Sequence, residues 1–268
     1  MCFGMNNINK RLIILMFICI VVKGQNTSET KAIHVFVALA DNKHQGIISS
    51  NELLENGEDA FNNQYWGALY GVKTFLRGSE NWKILSTIEN LTSEIIERCI
   101  FKHNEDDVYL VADAYRGREI KKSIDDFLQA ASGNNKGFIS VEAGNEQVSI
   151  GINGNSELIA YVGHDGLMDF DLDNYPKSTD NELRRVIVLA CISRNYFCEP
   201  LKNTGATPLL LTTGLMAPEA YTLESAVEGW ILNEDDEEIR LRAAEAYSDY
   251  QQCSINAARN LFSTNCTN

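Results

Sequence analysis

The chain has 268 residues, 44% of them hydrophobic, and a formal net charge of -14 from 37 acidic and 23 basic side chains. That length supports one substantial core, and the composition points to neither disorder nor internal repeats. A chain so acidic, with no basic cluster to offset the total, repels nucleic-acid phosphates and anionic membrane surfaces, which excludes nucleic acid as a partner.

Lys10-Arg11 precede an apolar run from Leu12 to Val22, the length of a signal-peptide core and too short to span a bilayer comfortably. Residues 1–24 therefore read as a secretory signal, with an uncleaved anchor as the competing reading, and no membrane contact is expected beyond this segment. Export to a periplasm or to the medium follows. Its removal takes away Lys10, Arg11 and Lys23 and no acid, so the charge moves from -14 to -17. Residues 32–268 then form a single domain with five cysteines, Cys99, Cys191, Cys198, Cys253 and Cys266. An odd number in an exported protein leaves at least one thiol outside an intramolecular pair.

Ala32 to Ala40 is nearly continuous in apolar residues and predicts a central strand, stopped by Asp41 to Gly46, with Asp41 and His44 at its carboxyl end. The segment to Gln64 is long, polar and aperiodic, as functional loops are. Tyr65 to Leu76 shows helical spacing with Gly78 as its stop, Trp82 to Leu85 a short strand, and Thr92 to Cys99 a short helix, acidic early and with Arg98 late. Asp107 to Ala112 is the next strong strand, ending in Asp113-Ala114-Tyr115-Arg116-Gly117, and Glu119 to Ala131 is an amphipathic helix. Gly137 to Val141 and Gln147 to Ile152 predict a β-hairpin added to the main sheet. Leu158 to Gly163 and Val186 to Ala190 are buried strands, followed by a helix over Ser193 to Lys202 and a fifth strand over Thr207 to Thr213. Helices from Pro218 through Trp230 and from Glu237 to Asn260 close the chain. Strand and helix alternate, which predicts an α/β fold: a three-layer αβα sandwich on a mainly parallel sheet with right-handed crossovers.

Two of these strands end on residues that can do chemistry, one on His164 and one on Cys191. Catalytic groups of parallel sheets gather at the carboxyl ends of the strands. A thiolate attacks where a thiol does not, so an imidazole that takes the thiol proton matters, and a helix starting at Ser193 adds its dipole and N–H groups. Gly163 and Gly166 give a substrate backbone room to approach. The opposing reading is that Cys191 is a core residue. Asp41, Asp113 and Arg116 form a further set, either lining a pocket for a basic substrate group or capping the helices that follow. Asp169, Asp171, Asp173 and Asp180 have partial calcium-loop spacing but lack the turn glycine and the closing glutamate, so they read as a solvated acidic loop. No metal or other cofactor is expected, and a metal hydrolase built on His164 has too few ligands.

An apolar block closing on His with a glycine close behind, followed downstream by an apolar block closing on Ala190-Cys191, resembles the caspase-like superfamily of cysteine peptidases that includes legumains, gingipains, clostripain and metacaspases. The resemblance covers two strands and their ends. It implies a caspase-like αβα sandwich with Cys191 as nucleophile and His164 as general base and acid, acting on a peptide or protein substrate. From their places beside these two, Asp165, Gly166 and Ser193 are further candidates for substrate contact. A second resemblance, to a group of uncharacterised bacterial exported proteins, rests on Tyr65-Trp66-Gly67, Val111 to Tyr115, Tyr161 to Asp169 and Thr213 to Tyr221, and implies no activity. The leading expectation is an exported thiol hydrolase, a cysteine peptidase. The alternative is a non-catalytic exported binding domain in which Cys191 is structural.

Overall fold

The computed structural model describes residues 30–46, 51–144 and 146–267, so the signal-sequence reading of residues 1–24 lies outside the described residues. In chain order the elements are β1 (Lys31–Ala38), α1 (Val72–Gly78), β2 (Trp82–Glu89), β3 (Ile95–His103), β4 (Val108–Tyr115), α2 (Ile120–Ala131), β5 (Gly137–Ala143), β6 (Glu146–Ile152), β7 (Leu158–Val162), β8 (Arg185–Leu189), α3 (Ser193–Thr204), β9 (Thr207–Thr212), α4 (Ala220–Ile231), α5 (Asp236–Gln251), α6 (Ile255–Leu261) and β10 (Phe262–Ser263).

Eight strands form one sheet in the order β10-β9-β8-β7-β1-β4-β3-β2. The five expected strands, β1, β4, β7, β8 and β9, are mutually parallel and central. Every residue of β4 and β7 is buried, which explains why their sequences are apolar apart from Asp113: both faces are covered. On one face, Val35, Ala112, Ala160 and Ile187 pack with α1, α4, α5 and α6. On the other, Phe36, Tyr161 and Val188 pack with α2 and α3. The result is a three-layer αβα sandwich. No helix among the described residues is long and apolar enough to cross a membrane.

Three local expectations are corrected, and one short strand is added. The segment from Thr92 to Cys99 is not helical: Ile95 onward is β3, antiparallel to both β2 and β4. Thr92 does cap backbone N–H groups, those of Glu94 and Ile95, but it caps a hairpin turn, and the β-branched Ile95, Ile96 and Ile100 favour the strand beyond it. Only the end of the Tyr65–Leu76 reading is helical. Before Val72 the chain is a tight series of turns in which a Cβ at Gly71 would lie 2.5 Å from the Trp66 backbone. The β5–β6 hairpin does not join the main sheet. It lies over it, with Val141 and Ile150 packed on Ala32, Ile100, Tyr109 and Val111. Finally, β10 pairs antiparallel with β9 and guards that edge, a strand too short to carry a sequence pattern.

Asp113 is not at an open strand end. It lies within β4, 1% exposed, with Arg98 of β3 bonding it through Nε and Nη2, both at 2.6 Å, and His34 of β1 at 3.0 Å. Burial alone would raise its pKa, and the Arg98 and His34 hydrogen bonds hold it below the usual carboxylate range instead. Removing one partner strands the other charge in the core. Asp113→Ala is therefore expected to destabilise the fold by about 3–5 kcal/mol, measured by urea unfolding; a loss under about 1 kcal/mol would contradict a charge pair at the centre of the sheet.

Candidate active site

The last paired residues of β7 and β8 are Val162 and Leu189, which face each other in register. His164 and Cys191 each lie two residues further on, so they leave neighbouring parallel strands at the same level. Such strands run about 4.8 Å apart. Next to them, between β1 and β7, the strand order reverses, and this is where parallel sheets open a crevice at their carboxyl edge. Gly163 makes the junction tight, because a Cβ there would lie 3.0 Å from Ala38 O and 3.1 Å from the Tyr161 hydroxyl.

His164 is 19% exposed, and its Nε2 meets Asp169 Oδ2 at 2.7 Å. With that carboxylate accepting, Nε2 carries the proton and Nδ1 is the basic nitrogen. Tyr161 donates from its hydroxyl to His164 O at 2.7 Å and fixes the backbone beneath the ring. Asp169 thus acquires a role as the orienting group, which its position in an acidic run had concealed.

Cys191 is half-buried, and its Sγ lies 3.6 Å from Met216 O. Its backbone amide makes no hydrogen bond among the described residues. The turn behind it is unusual: Ile192 has φ 53° and ψ 29°, a left-handed conformation that costs a β-branched residue on the order of 1–3 kcal/mol. Ile192 N donates to Gly214 O at 2.9 Å and Ser193 N to Thr212 Oγ1 at 3.0 Å, which pins the turn to the end of β9.

The flanking residues depart from expectation. Ser193 is fully buried, its Oγ donating to Val188 O at 2.9 Å and accepting from Thr212 N, so it fastens β8 to β9 and offers nothing to a substrate. The first two amides of the Cys191-to-α3 turn are likewise engaged, which leaves Cys191's own amide as the donor beside the thiol. Gly166 makes room for the protein itself, since a Cβ there would lie 2.6 Å from the Phe170 ring. Arg116 ties loops together through Glu58 at 2.6 Å, Asn90 Oδ1 at 3.1 Å and Ser93 O at 3.0 Å. Asp41 closes its own turn by accepting from Lys43 N and His44 N, squeezed between Gly57 and Gly117. It also lines a cavity of about 510 Å³ with Glu52, Glu55, Glu58 and Arg118. The acids of the calcium-like run diverge: Asp169 goes to His164, Asp173 to Lys121 and Asp180 to Arg184 and Lys136. No cluster able to hold a metal ion occurs among the described residues.

Tyr65 lies at the end of the long polar loop. It is 8% exposed, and burial, followed by the charges of Cys191, Glu55 and Glu219, pushes its phenol above the usual range. Compared with family models, curated proteins and solved structures, the chain matches none of them.

Asp165, beside His164, is fully buried, and neither carboxylate oxygen makes a hydrogen bond among the described residues. Burial pushes its pKa up to about 7, the Leu167 and Met168 amides opposing and Asp169 adding. The folded state therefore holds this proton to higher pH than the unfolded chain, and stability is lost as pH rises through about 7. The loss is on the order of 4 kcal/mol. Urea unfolding is expected to show Asp165→Asn gaining on the wild type from about pH 4 to about pH 7 and levelling off above that; an offset independent of pH would mean that Asp165 does not titrate in the fold.

Proposed function

We propose that this chain is an exported thiol hydrolase, a cysteine peptidase of caspase-like type, with Cys191 as nucleophile and His164 as its base. One observation carries the reading: the two residues end adjacent parallel strands at the same level, beside the reversal point of the sheet. The Asp169 carboxylate on Nε2 supports it by leaving Nδ1 to take a proton. Supporting it too is the left-handed turn at Ile192, directly after Cys191, since strained backbone of this kind clusters at functional sites.

In this mechanism His164 Nδ1 removes the thiol proton and Sγ attacks the carbonyl carbon of a peptide bond. The oxygen that becomes negative meets the Cys191 amide. His164 then gives its proton to the departing amine, leaving an acyl thioester. Water, deprotonated by the same imidazole, releases the acid and restores the thiol. The 3.6 Å contact from Cys191 Sγ to Met216 O belongs to the resting protein, and catalytic hydrogen bonds of this kind often form only with substrate. That same contact favours the second reading, a binding domain with a structural Cys191. Export is supported by the Cys198–Cys266 disulfide, a bond that persists in oxidising compartments.

Cys99 and Cys253 are internal controls, since Cys99 is buried and its thiol is pushed up to about 11 by desolvation. Iodoacetamide at about pH 6.5, followed by peptide mass spectrometry, is expected to label Cys191 roughly tenfold faster than Cys253, with Cys99 silent. His164→Ala is expected to slow Cys191 alone, and Cys191→Ser to abolish turnover in a peptide-library screen. Labelling of Cys191 no faster than Cys253, and unchanged in His164→Ala, would leave the binding-domain reading.

A further inference from the structure

A cavity of about 600 Å³ lies beside α1 and the end of α5, within the size range of small-molecule sites. Tyr70, Phe75 and Tyr250 line it together with Glu80, Glu224 and Arg77. The rings form a fixed set. Tyr250 stacks on Tyr221 at 4.2 Å and 5°, Tyr70 meets Tyr250 edge-on at 5.4 Å, and Phe75 meets Tyr250 edge-on at 5.8 Å. Tyr221 is buried behind them and its hydroxyl donates to Glu219 at 2.6 Å, so the stack is anchored from the protein side. Tyr70 and Tyr250 remain 37% and 45% exposed, open to a ligand.

The charges in this cavity are out of balance. Glu224 is half-buried, accepts from the Ser79 hydroxyl, and forms no ion pair among the described residues. Burial, and next the charge of Glu228, raises its pKa against the pull of Ser79. Glu80 forms no ion pair among the described residues either, and the cation at hand, Arg77, is exposed and bridges to neither acid. Among the described residues, the cations over ring faces are Lys31 on Trp230 and Lys102 on Tyr109, both elsewhere. Ring faces carry negative charge and attract cations, carboxylates do the same, and both disfavour an anionic ligand.

We propose that this pocket binds an organic ammonium ion, held against the Tyr70, Phe75 and Tyr250 rings with Glu224 and Glu80 as its counter-charge. The site is independent of Cys191 and stands or falls apart from the hydrolase reading. The test is calorimetric titration of the full chain with choline and with 3,3-dimethylbutan-1-ol, its uncharged analogue of the same shape. Choline is expected to bind saturably and the alcohol roughly tenfold more weakly or not at all. Tyr250→Leu and Glu224→Gln are each expected to weaken choline roughly three- to thirtyfold. Tyr250 is half-exposed and Glu224→Gln keeps the Ser79 hydrogen bond, so thermal unfolding of both is expected to stay near wild type. Absence of saturation up to about 50 mM choline, equal binding of the alcohol, or unchanged choline binding in both variants would overturn the proposal.

Discussion

A carboxylate in the middle of the sheet decides how its central strands are tied. Asp113 is enclosed from every side, and a charge there is tolerable only with partners of fixed geometry. Arg98 stands opposite it on β3, and its planar guanidinium matches the two carboxylate oxygens, a fit that lysine would lose. His34 reaches it from β1. Because Asn153 N donates to His34 Nδ1 at 3.0 Å, that nitrogen is an acceptor and Nε2 is the one carrying the proton to Asp113. One carboxylate thus aligns three strands and, through Asn153, the end of the β5–β6 hairpin. A one-residue slip of β1 would put His34 on the opposite face, break this set and lose the continuation of β1 into the Asp41 turn.

The sheet's parallel centre was legible because its physical signature is strong. Strands buried on both faces leave runs such as Val186 to Ala190 with hardly a polar residue, and the glycine and acid clusters after them mark their ends. The antiparallel side was not legible, because β3 mixes Ile with Glu97, Arg98 and Lys102. Those charges suggest solvent until their partners are known: Glu97 takes the Trp66 indole and Lys73, and Arg98 takes Asp113. Pairing across 15 to 31 positions has no local trace. The same limit hid the hairpin's place, since alternation in Gly137 to Ile152 reports a two-faced strand and not which surface it covers.

At the site, the sequence located the strand ends but not the division of labour around them. His164 and Cys191 stand where their strands deliver them. Ser193 and Gly166 looked available to a substrate because small residues beside a reactive group commonly are, whereas here one closes a hydrogen-bond cycle with Thr212 and the other admits Phe170. Asp169 was hidden for the opposite reason. In a stretch with acids at 169, 171, 173 and 180, the one that orients an imidazole is chosen by the path of the loop, and the spacing favours none of them.

The left-handed Ile192 connects stability to chemistry. Glycine would take that conformation without strain, so the fold must over-determine it with isoleucine present. It does so through the Asn195 N to Ile192 O bond within the turn, and through the Ile192 N to Gly214 O bond and the Ser193–Thr212 cycle, which also hold the ends of β8 and β9 together. A turn fastened on this many sides has little freedom to let Cys191 drift from its level on the sheet. A nucleophile that must meet both a carbonyl carbon and an imidazole at 164 gains directly, because misplacement by about 1 Å costs such a reaction about a hundredfold in rate.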